Sequence, residues 1–541
     1  MSKSIQVLDC TLRDGAYITE AQFGTPVIRG VIKKLQETHI DIIECGWLKD
    51  KSHEAGTTFF HVPADVEQYL LGGMEHTMLT AMIDWDRYDV SVLPERDGRS
   101  IDAVRVVFPH GKHKEALKIG EIIRQRGYGV LFQAANTLAY SSEELVQLAK
   151  DMNAFMPISL SVVDTFGAMY FDDLERIVTV LDKELDEKIM LGIHAHNNQQ
   201  LAFALSIRFI ELLKDSSREI IVDSTLSGMG RGAGNTTTEL IVAYLNREHH
   251  GGYDINALMD AIDTYIDGFR EKYTWGYSTP YYIAGVYQCH VNNIAYLQRN
   301  HRTNAKDMRS IIASLSEEER RHYDYDLLEQ KYLDNQGRII DDTAACSLLR
   351  EKFDKRKILL IAPGRSSESH KAEIKAFIEE NNPVVIGVNA ICEGYDYDYL
   401  FFSNAIRYGY AQSAHPNHFK RAAKILLSNI KTKGEEGEIL LNFNDVIKRG
   451  WEHFDNAVIL CLRMLMRLNA QEVYISGFDG FKHQYNESYS DINLPTLNPE
   501  GKWDELNAEI KDMYSDFYQS SAGKMKIRFL TESIFDMEAE G

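Results

Sequence analysis

The sequence predicts an α/β protein made of a (β/α)₈ barrel, a helical extension and a second α/β domain. Two observations favour this fold class. Eight short apolar runs alternate with amphipathic stretches between Ile5 and Asn246, the pattern of buried parallel strands joined by helices. The chain is also 541 residues long, whereas a barrel of this kind uses about 250.

Each apolar run is predicted to form one barrel strand. The runs are IQVLDCTL, IDIIECGW, HTMLTAMID, DAVRVVF, GVLFQAAN, ISLSVVDTFG, IMLGIHAHNN and EIIVDSTLSG. Stretches between them, such as TPVIRGVIKKLQETH, carry apolar residues at helical spacing. An open doubly wound sheet is the alternative arrangement of the same elements.

The composition changes along the chain and predicts three segments. The barrel is expected over residues 1–253, and a polar helical extension that packs on it over residues 254–352. A strand, a turn, a helix and a strand then follow in KILLIAPGRSSESHKAEIKAFIEENNPVVIGVN, which predicts a Rossmann-like domain over residues 353–541. Its glycine turn fits neither GxGxxG nor GxxxxGK[ST], so it gives only a weak phosphate-binding signal.

Charge and composition exclude several functional classes. The net charge is 59 − 80 = −21, so no nucleic-acid partner is expected, because phosphate binding requires clustered Lys and Arg. No apolar run reaches the roughly 18–20 residues of a membrane helix, and MSKSIQVLDCTLRDG lacks the apolar centre of a signal peptide. The six cysteines form no CxxC pair. A cytoplasmic protein without disulfides is therefore predicted.

Ionisable residues collect at the carboxyl ends of the predicted strands. They are Arg13, Asp14, Glu44, Asp84, Asp164, His194 and His196. Because the active site of such a barrel lies at this rim, the pattern predicts an enzyme. Gly15 is expected to let the backbone turn sharply after the first strand.

The segment GIHAHNN indicates a metal site. His194 and His196 are two residues apart, and residues at that spacing on a strand point to the same face. With a carboxylate from a neighbouring strand, for which Asp14 is the candidate, they can ligate a divalent ion and leave positions open for substrate. Taken alone, the two histidines could equally form a structural pair.

Four segments, in the expected order, resemble the DRE-TIM metallolyases, the HMGL-like superfamily. They are DCTLRDG, VVDTFGAM, GIHAHNN and GMGRGAGNTTTE. The branch they resemble is the 4-hydroxy-2-oxovalerate aldolases, in which a tyrosine-bearing segment similar to YYIAGVYQ follows the barrel. The resemblance covers about residues 4 to 300.

The resemblance implies a metal-dependent aldolase. It implies that Asp14, His194 and His196 hold Mn²⁺ or Mg²⁺ and that Arg13 stabilises an enolate. Asn235 in the GAGN turn is a candidate fourth ligand, and its alternative is a plain turn residue. A 2-oxo acid, pyruvate in the first place, would chelate the metal, and its enolate would add to an aldehyde.

One position departs from the aldolase branch. That branch has a catalytic histidine three residues after the aspartate, where this chain has Tyr17. A phenol, with a reference pKa of about 10, is a poor base at neutral pH. The candidate proton carriers are therefore Tyr17, Glu44, Tyr287 and His290. Glu44 could instead orient an arginine or a histidine, and His290 could be a helix-packing residue.

The sequence also indicates which residues bind the substrates and which classes of substrate are expected. The candidates for substrate binding are Arg13, Asp164 and His290. The loop ECGWLKDKSHEAG differs from the glycine- and histidine-rich loop of the aldolase branch, so an aldehyde other than acetaldehyde is expected. Trp47, Lys49 and Lys51 are candidates for contacting a larger or phosphorylated acceptor. The partners expected are a 2-oxo acid, an aldehyde that includes sugar-derived ones, and a second copy of the chain in a homo-oligomer.

The C-terminal segment resembles, faintly, the sialyltransferase-like sugar-modification domains. The similar segments are IAPGRS, PVVIGVN and AQEVYISGFDGF, and Asn456 and Asp479 lie at comparable places. This implies a bifunctional enzyme that acts in the biosynthesis of an unusual cell-surface sugar. Two alternatives stay open. One is a Claisen-type acyltransferase that uses acetyl-CoA on the same metal site, and the other is a non-catalytic barrel scaffold that carries a nucleotide-sugar-binding domain.

Overall fold

A computed structural model describes residues 5–72, 77–301, 303–337, 339–432, 434, 437–451, 456–482, 488–496 and 502–537. The chain divides into two compact units. The first comprises Met1–Ile294 and Ser316–Tyr323, and the second comprises Ala295–Leu315 and Asp324–Gly541. The helical extension predicted over residues 254–352 is thus shared between them, because its last helix contributes Cys346, Leu349 and Phe353 to the core of the second unit.

The first unit is a closed barrel of eight parallel strands with one short extra strand, β3, beside β2. The strands are β1 (Ile5–Asp9), β2 (Ile42–Leu48), β3 (Phe59–Phe60), β4 (Met78–Asp84), β5 (Ala103–Phe108), β6 (Gly129–Ala134), β7 (Ser159–Asp164), β8 (Met190–Ala195) and β9 (Ile220–Ser224). Strand β1 pairs with both β2 and β9, which closes the barrel. The predicted (β/α)₈ barrel is confirmed and the open sheet is wrong. The predicted third run begins at residue 76, which lies outside the described residues.

Helices alternate with these strands and continue after the barrel. They are α1 (Thr11–Asp14), α2 (Ala16–Thr19), α3 (Thr25–Glu37), α4 (His113–Gln125), α5 (Ser142–Phe155), α6 (Phe171–Glu184), α7 (Ala202–Leu212), α8 (Thr238–His249), α9 (Ile255–Ala261), α10 (Thr279–Val286) and α11 (Val291–His301). An apolar face at helical spacing orients each helix toward the core. In α3 this face comprises Ile28, Val31 and Leu35, which are fully buried.

The chain leaves β1 through a helical turn. Arg13 and Asp14 belong to α1 and lie one turn beyond the strand. The expected role of Gly15 is wrong, because its φ of −61° is ordinary helical geometry. A Cβ there would lie 2.7 Å from the carbonyl oxygen of Thr11 and 2.9 Å from Cζ of Phe23. Gly15 therefore permits close packing and not an unusual turn.

The second unit is a parallel sheet with helices, as predicted for a Rossmann-like domain. Its strands are β10 (Lys357–Ile361), β11 (Val384–Val388), β12 (Tyr399–Phe402), β13 (Ala423–Leu427), β14 (Glu438–Leu441), β15 (Glu472–Ser476) and β16 (Lys526–Phe529). They lie in the order β14-β13-β12-β11-β10-β15-β16. Strand β10 thus has β11 on one side and β15 on the other, which is the point where the order reverses.

The remaining helices complete the chain. They are α12 (Ala305–Ala313), α13 (Glu317–Arg321), α14 (Tyr325–Gln336), α15 (Thr343–Phe353), α16 (Ser366–Ser369), α17 (Lys371–Asn381), α18 (Ala405–Ala414), α19 (Pro416–Arg421), α20 (Ala457–Arg467) and α21 (Trp503–Ser521). No helix within the described ranges has the length and apolar composition needed to cross a bilayer. All six cysteines are buried with free thiols.

Candidate metal centre and active site

Three metal-ligating side chains meet at the carboxyl end of the barrel. Asp14, His194 and His196 each place one ligand atom within 4.8 Å of the others. Nε2 of His194 lies 3.3 Å from Oδ2 of Asp14, and the two imidazole rings are 4.9 Å apart. All three residues are buried. The structure therefore brings together the three ligands that the sequence predicts.

Both imidazoles are held through their Nδ1 atoms. Nδ1 of His194 lies 3.0 Å from Oδ2 of Asp223. Nδ1 of His196 lies 2.9 Å from the carbonyl oxygen of Asp164. When Nδ1 donates to such an acceptor, Nε2 keeps its lone pair for a metal ion. The hydrogen bonds of the two Nδ1 atoms thus favour the tautomer whose Nε2 can bind a metal ion.

The protonation states of Asp14 and His196 also suit a cation. Burial raises the pKa of Asp14, but Arg13 and His194 outweigh burial and hold this pKa well below its ordinary value. Burial, helped by the neighbouring His194, lowers the pKa of His196 to about 3. Asp14 is therefore an anion and His196 is a neutral imidazole at neutral pH, which are the forms that bind metals.

Asn235 supplies a further oxygen that lacks a partner. Its side chain is buried, and Nδ2 donates to the carbonyl oxygen of Met229 over 3.2 Å. No described residue donates a hydrogen bond to Oδ1, and the backbone of Asn235 forms an isolated bridge with His196. Two imidazoles, a carboxylate and an amide oxygen fit a divalent ion such as Mn²⁺ or Mg²⁺.

A closed ring of charged side chains includes two members of this cluster. In order, the ring comprises Asp14, Arg13, Glu44, Arg105, Asp223 and His194. Nε of Arg13 lies 2.7 Å from Oε2 of Glu44, and the same oxygen is 2.9 Å from Nη1 of Arg105. Arg105 in turn pairs with Asp223. Acidic and basic side chains alternate around the ring, so each carboxylate and each guanidinium lies between two groups of the opposite type.

Two members of the ring were missed by sequence reasoning. Arg105 lies within β5 and Asp223 within β9, and both are 0–1% exposed. The signal that could have found them is a charged residue in the middle of an apolar strand, as in DAVRVVF. Such a residue needs a buried counter-charge, which only another strand of the closed barrel can supply.

Protein donors engage Oε2 of Glu44 and the carboxylate of Asp164, whereas Oε1 of Glu44 receives no hydrogen bond from the described residues. Glu44 pairs with Arg13 and Arg105, which is the position of an orienting residue. The carboxylate of Asp164 accepts from the amides of Ala168 and Met169 at 2.9 and 3.1 Å, and burial raises its pKa to about 6. Asp164 therefore contacts the cluster of Asp14, His194 and His196 through its backbone carbonyl oxygen, which binds Nδ1 of His196.

Tyr17 lies at the exposed rim of the site, with 44% of its surface accessible. Its ring meets the ring of Trp47 edge to face at 5.9 Å, and the guanidinium of Arg231 lies 4.4 Å from its centroid. Nη1 of Arg231 is 3.5 Å from Nε2 of His290. Sequence reasoning missed Arg231, although it stands inside GMGRGAGN.

The other two candidate proton carriers, His290 and Tyr287, lie in the segment that follows the barrel. Nδ1 of His290 accepts from the amide of Asn292 at 3.2 Å, and burial with the nearby Arg231 lowers its pKa to about 3. The carbonyl oxygen of Tyr287 accepts from Arg320 at 3.3 Å. Within the described ranges, no hydrogen bond joins Tyr287 to the metal cluster. His290 therefore reaches the rim through Arg231.

The lysines after β2 have protein contacts. Nζ of Lys49 lies 3.0 Å from Oδ2 of Asp84 and 4.3 Å from the ring of Trp47. Nζ of Lys51 lies 4.7 Å from the ring of Phe59. Nε1 of Trp47 donates to the carbonyl oxygen of Arg13 over 3.3 Å. Of these residues, Trp47 is the one that forms a hydrogen bond with a residue of the site, Arg13.

Comparisons with known proteins agree with this geometry. Residues 106–264 match the model of the HMGL-like family. The chain is 29% identical over 310 residues to a 4-hydroxy-2-oxovalerate aldolase of Thermomicrobium roseum, covering 54% of this chain and 82% of that protein. It is 26% identical over 265 residues to an oxaloacetate decarboxylase of Mycobacterium tuberculosis, covering 47% and 74%.

Among solved structures, the carboxyl transferase domain of Rhizobium etli pyruvate carboxylase, with pyruvate and biocytin, is similar at 13% identity and a TM-score of 0.48, covering 64% of this chain and 65% of that one. The predicted resemblance is confirmed, since residues 106–264 match the HMGL-like (DRE-TIM) model and the chain is similar to 4-hydroxy-2-oxovalerate aldolases. The sialyltransferase-like resemblance of the C-terminal segment stays a prediction.

Proposed function

We propose that the protein is a divalent-metal-dependent aldolase that forms or cleaves a carbon–carbon bond next to a 2-oxo acid, with pyruvate as the donor and an aldehyde as the acceptor. The observation that carries this proposal is the cluster of Asp14, His194 and His196 with Arg13 paired to its carboxylate. The similarity of the barrel to aldolases supports the reaction class.

The residues that would hold the ion are Asp14, His194, His196 and Asn235. A bound divalent cation supplies a Lewis acid that polarises the carbonyl group of the 2-oxo acid. The chain contributes the orientation of the ligands, because Asp223 and the carbonyl oxygen of Asp164 fix the two imidazoles. Burial keeps water away from the same side chains.

Arg13 is placed to stabilise the negative charge that develops when the 2-oxo acid loses a proton. Its guanidinium is 4% exposed and is held between Asp14 and Glu44. A fixed cation in a buried site needs little reorganisation as charge develops, so its contribution is larger than it would be in water. Glu44 serves this purpose by fixing Arg13 from the far side.

Tyr17 is the group we assign to the acceptor oxygen. In the condensation direction the pyruvate methyl group loses a proton to solvent, Tyr17 donates a proton to the aldehyde oxygen, and the Tyr17 phenolate regains a proton from solvent, so the transfers balance. A phenol is protonated at neutral pH and can donate to a developing alkoxide. The Arg231 guanidinium against its ring favours negative charge on the phenol oxygen after the transfer.

We propose an acceptor larger than acetaldehyde. The loop after β2 places the indole of Trp47 beside Tyr17, with Lys49 over the indole. A polyhydroxylated, sugar-derived aldehyde offers hydroxyl groups and C–H faces that such a wall can contact. Sugar-derived aldehydes are therefore the first acceptors to screen.

The experiment that tests the proposal does not require the acceptor. The protein is incubated with Mn²⁺ and pyruvate in D₂O, and loss of the methyl signal is followed by proton NMR. We expect metal-dependent exchange in the wild type and its loss in His194→Ala and Arg13→Ala. His110→Ala is the matched control, because this histidine pairs with Glu144 at 3.1 Å outside the cluster, and it should exchange like the wild type.

Absence of exchange in a wild type that binds Mn²⁺ would contradict pyruvate as the donor. Release of free thiol from acetyl-CoA would then support the Claisen-type alternative. Exchange that survives in both variants would contradict the assigned site. Tyr17→Phe separates the two halves of the reaction, because it should keep Mn²⁺ affinity while lowering aldol turnover by about 10²–10⁴-fold.

A further inference from the structure

The second unit contains a cavity of about 180 Å³ at the carboxyl edge of its sheet. Residues that follow four strands line it, among them Gly364 after β10, Asn389 after β11, Ser403 after β12 and Gly477 after β15. In open parallel sheets, ligands bind at this edge where the strand order reverses. That point here is β10, between β11 and β15, so the cavity occupies the expected ligand position.

A buried cation lines the cavity. Arg407, the third residue of α18, is 8% exposed, and its guanidinium carbon lies 4.9 Å from the ring centroid of Tyr489. An arginine in a concave, buried position can bind an anion bidentately with little competition from water. The cavity therefore has a recognition group for a negatively charged ligand.

A polar side chain of the cavity wall has one atom without a hydrogen-bond partner among the described residues. Asn429 lines it, and Nδ2 of this residue donates to the carbonyl oxygen of Ser403 over 2.9 Å. Its Oδ1 is buried and receives no hydrogen bond from the described residues. A buried acceptor of this kind is costly unless a ligand or a water molecule donates to it. A ligand with both an anionic group and a donor, such as a hydroxyl, would satisfy Arg407 and Asn429 together.

Helix ends add to the positive potential of the cavity. Three helices of nine to eleven residues begin at its wall: α12 at Asn304, α18 at Asn404 and α20 at Asn456. In each of them the asparagine side chain caps amides of the first turn. The positive ends of three helix dipoles therefore point to one space, which favours an anion there.

Among the described residues of the wall, Asp479 and Asp307 carry carboxylates, and both accept hydrogen bonds from protein donors. Oδ2 of Asp479 accepts from the amide of Ser366 at 2.8 Å, and the hydroxyl of Ser366 donates to the other oxygen. Oδ2 of Asp307 accepts from Nδ2 of Asn304 at 2.6 Å. Their negative charge is thus partly offset, which weakens their opposition to an anionic ligand.

The opposite side of the cavity is aromatic and aliphatic. The wall there includes Phe478, Phe481, Phe535, Leu506 and Ile510. Such a wall contacts the flat or C–H face of a ring. A ligand that suits both sides has an anionic head, a ring and at least one hydroxyl group.

We propose that this cavity binds a small phosphate monoester, with the phosphate at Arg407 and the three helix ends and the ring against the aromatic wall. Sugar phosphates and nucleoside monophosphates share this chemistry. The proposal does not depend on the reaction of the barrel, and its failure would leave the aldolase proposal unaffected.

The test measures binding to the full-length protein by titration calorimetry. The probes are inorganic phosphate, glucose 6-phosphate and AMP, with glucose and adenosine as unphosphorylated controls. We expect at least one of the two esters to bind, inorganic phosphate to compete with it, and the unphosphorylated controls not to bind. The ester that binds more tightly distinguishes a sugar phosphate from a nucleotide.

Two variants assign the binding to the cavity. Arg407→Gln should weaken ester binding by about tenfold or more, and Asn429→Asp, which places a negative charge of the same shape at the wall, should abolish it. The matched control is Arg463→Gln, since Arg463 is also 8% exposed in this unit but does not line the cavity. Circular dichroism checks that each variant is folded.

Three results would overturn the proposal. One is failure of the wild type to bind any of the phosphates at millimolar concentration. Another is binding of glucose or adenosine as tightly as the corresponding ester, which would indicate a neutral ligand. The third is unchanged ester binding in folded Arg407→Gln and Asn429→Asp proteins.

Discussion

Oδ2 of Asp223 lies 3.0 Å from Nδ1 of His194, on the side of the imidazole that faces away from Asp14. Burial raises the pKa of Asp223, but Arg105 and His194 outweigh burial and lower this pKa below its ordinary value. The carboxylate is therefore ionised and fixed on both sides. His194 is held in its ligating orientation by the protein itself.

Asp223→Asn should weaken Mn²⁺ binding by about 10–100-fold, because the amide loses the charge that holds the imidazole and can present either end to it. The measurement is a Mn²⁺ titration in which the free ion is followed by electron paramagnetic resonance. Asp151→Asn is the matched control, since Asp151 pairs with His113 at 2.9 Å outside the cluster. Equal affinities in the two variants would contradict a positioning role for Asp223.

Arg105→Met should destabilise the barrel by about 3–5 kcal/mol, because Glu44 and Asp223 would each lose a buried counter-charge. The measurement is urea unfolding, monitored by hydrogen exchange in peptides from the barrel. Arg99→Met is the control, since Arg99 pairs with Asp97 on the surface, where water screens the pair, and its cost should be far smaller. Similar costs for both variants would mean that the charged ring adds nothing to stability.

The sequence predicts the barrel well because each strand is a continuous apolar run, and each run became one strand. It predicts that Asp14, His194 and His196 come together because they stand at or just beyond strand ends in characteristic segments. Arg105 and Asp223 escape prediction for a physical reason. Their pairing joins β5 to β9 across the closed barrel, and sequence spacing carries no information on which strand interiors face each other.

The same reasoning applies to the rim of the site. Tyr17 follows β1 and Arg231 follows β9, so their contact at 4.4 Å exists only because those strands are neighbours. His290 comes from beyond the barrel and reaches Arg231 at 3.5 Å. Tyr17 and His290 were predicted separately and Arg231 was missed, and only the folded chain shows that the three form a group.

Asp9 should make stability depend on pH. Burial raises the pKa of this carboxyl group to about 6 in spite of hydrogen bonds from Thr238 and Thr11. The unfolded value is about 3.9, so the folded protein binds the extra proton between these two values. The stabilisation is fully present below the unfolded pKa and is lost as the pH rises through about 6.

Asp9→Asn should remove that dependence. The wild type should gain stability relative to the variant as the pH falls. Its free energy of unfolding minus that of the variant should be larger at pH 4 than at pH 7, by an amount on the order of 2 kcal/mol. Urea unfolding of both proteins across this range, in the presence of a chelator, measures it. All other titrating groups are common to the two proteins, so parallel profiles would contradict the raised pKa.

Gly15→Ala sets two effects against each other. The helical φ of −61° at Gly15 means that intrinsic propensity favours alanine by about 1 kcal/mol. The added Cβ would, however, lie 2.7 Å from the backbone oxygen of Thr11 and 3.0 Å from the sulfur of Met229. Overpacking against a backbone atom costs about 1–3 kcal/mol, so we expect a net loss of stability in urea unfolding.

Gly268→Ala is the matched control for this substitution, because a Cβ at Gly268 would meet no atom within 4 Å and its backbone is helical. It should leave stability unchanged or raise it by up to about 1 kcal/mol. If Gly15→Ala also proved neutral or stabilising, the turn after β1 would have room to shift. The close packing that we assign to Gly15 would then be wrong.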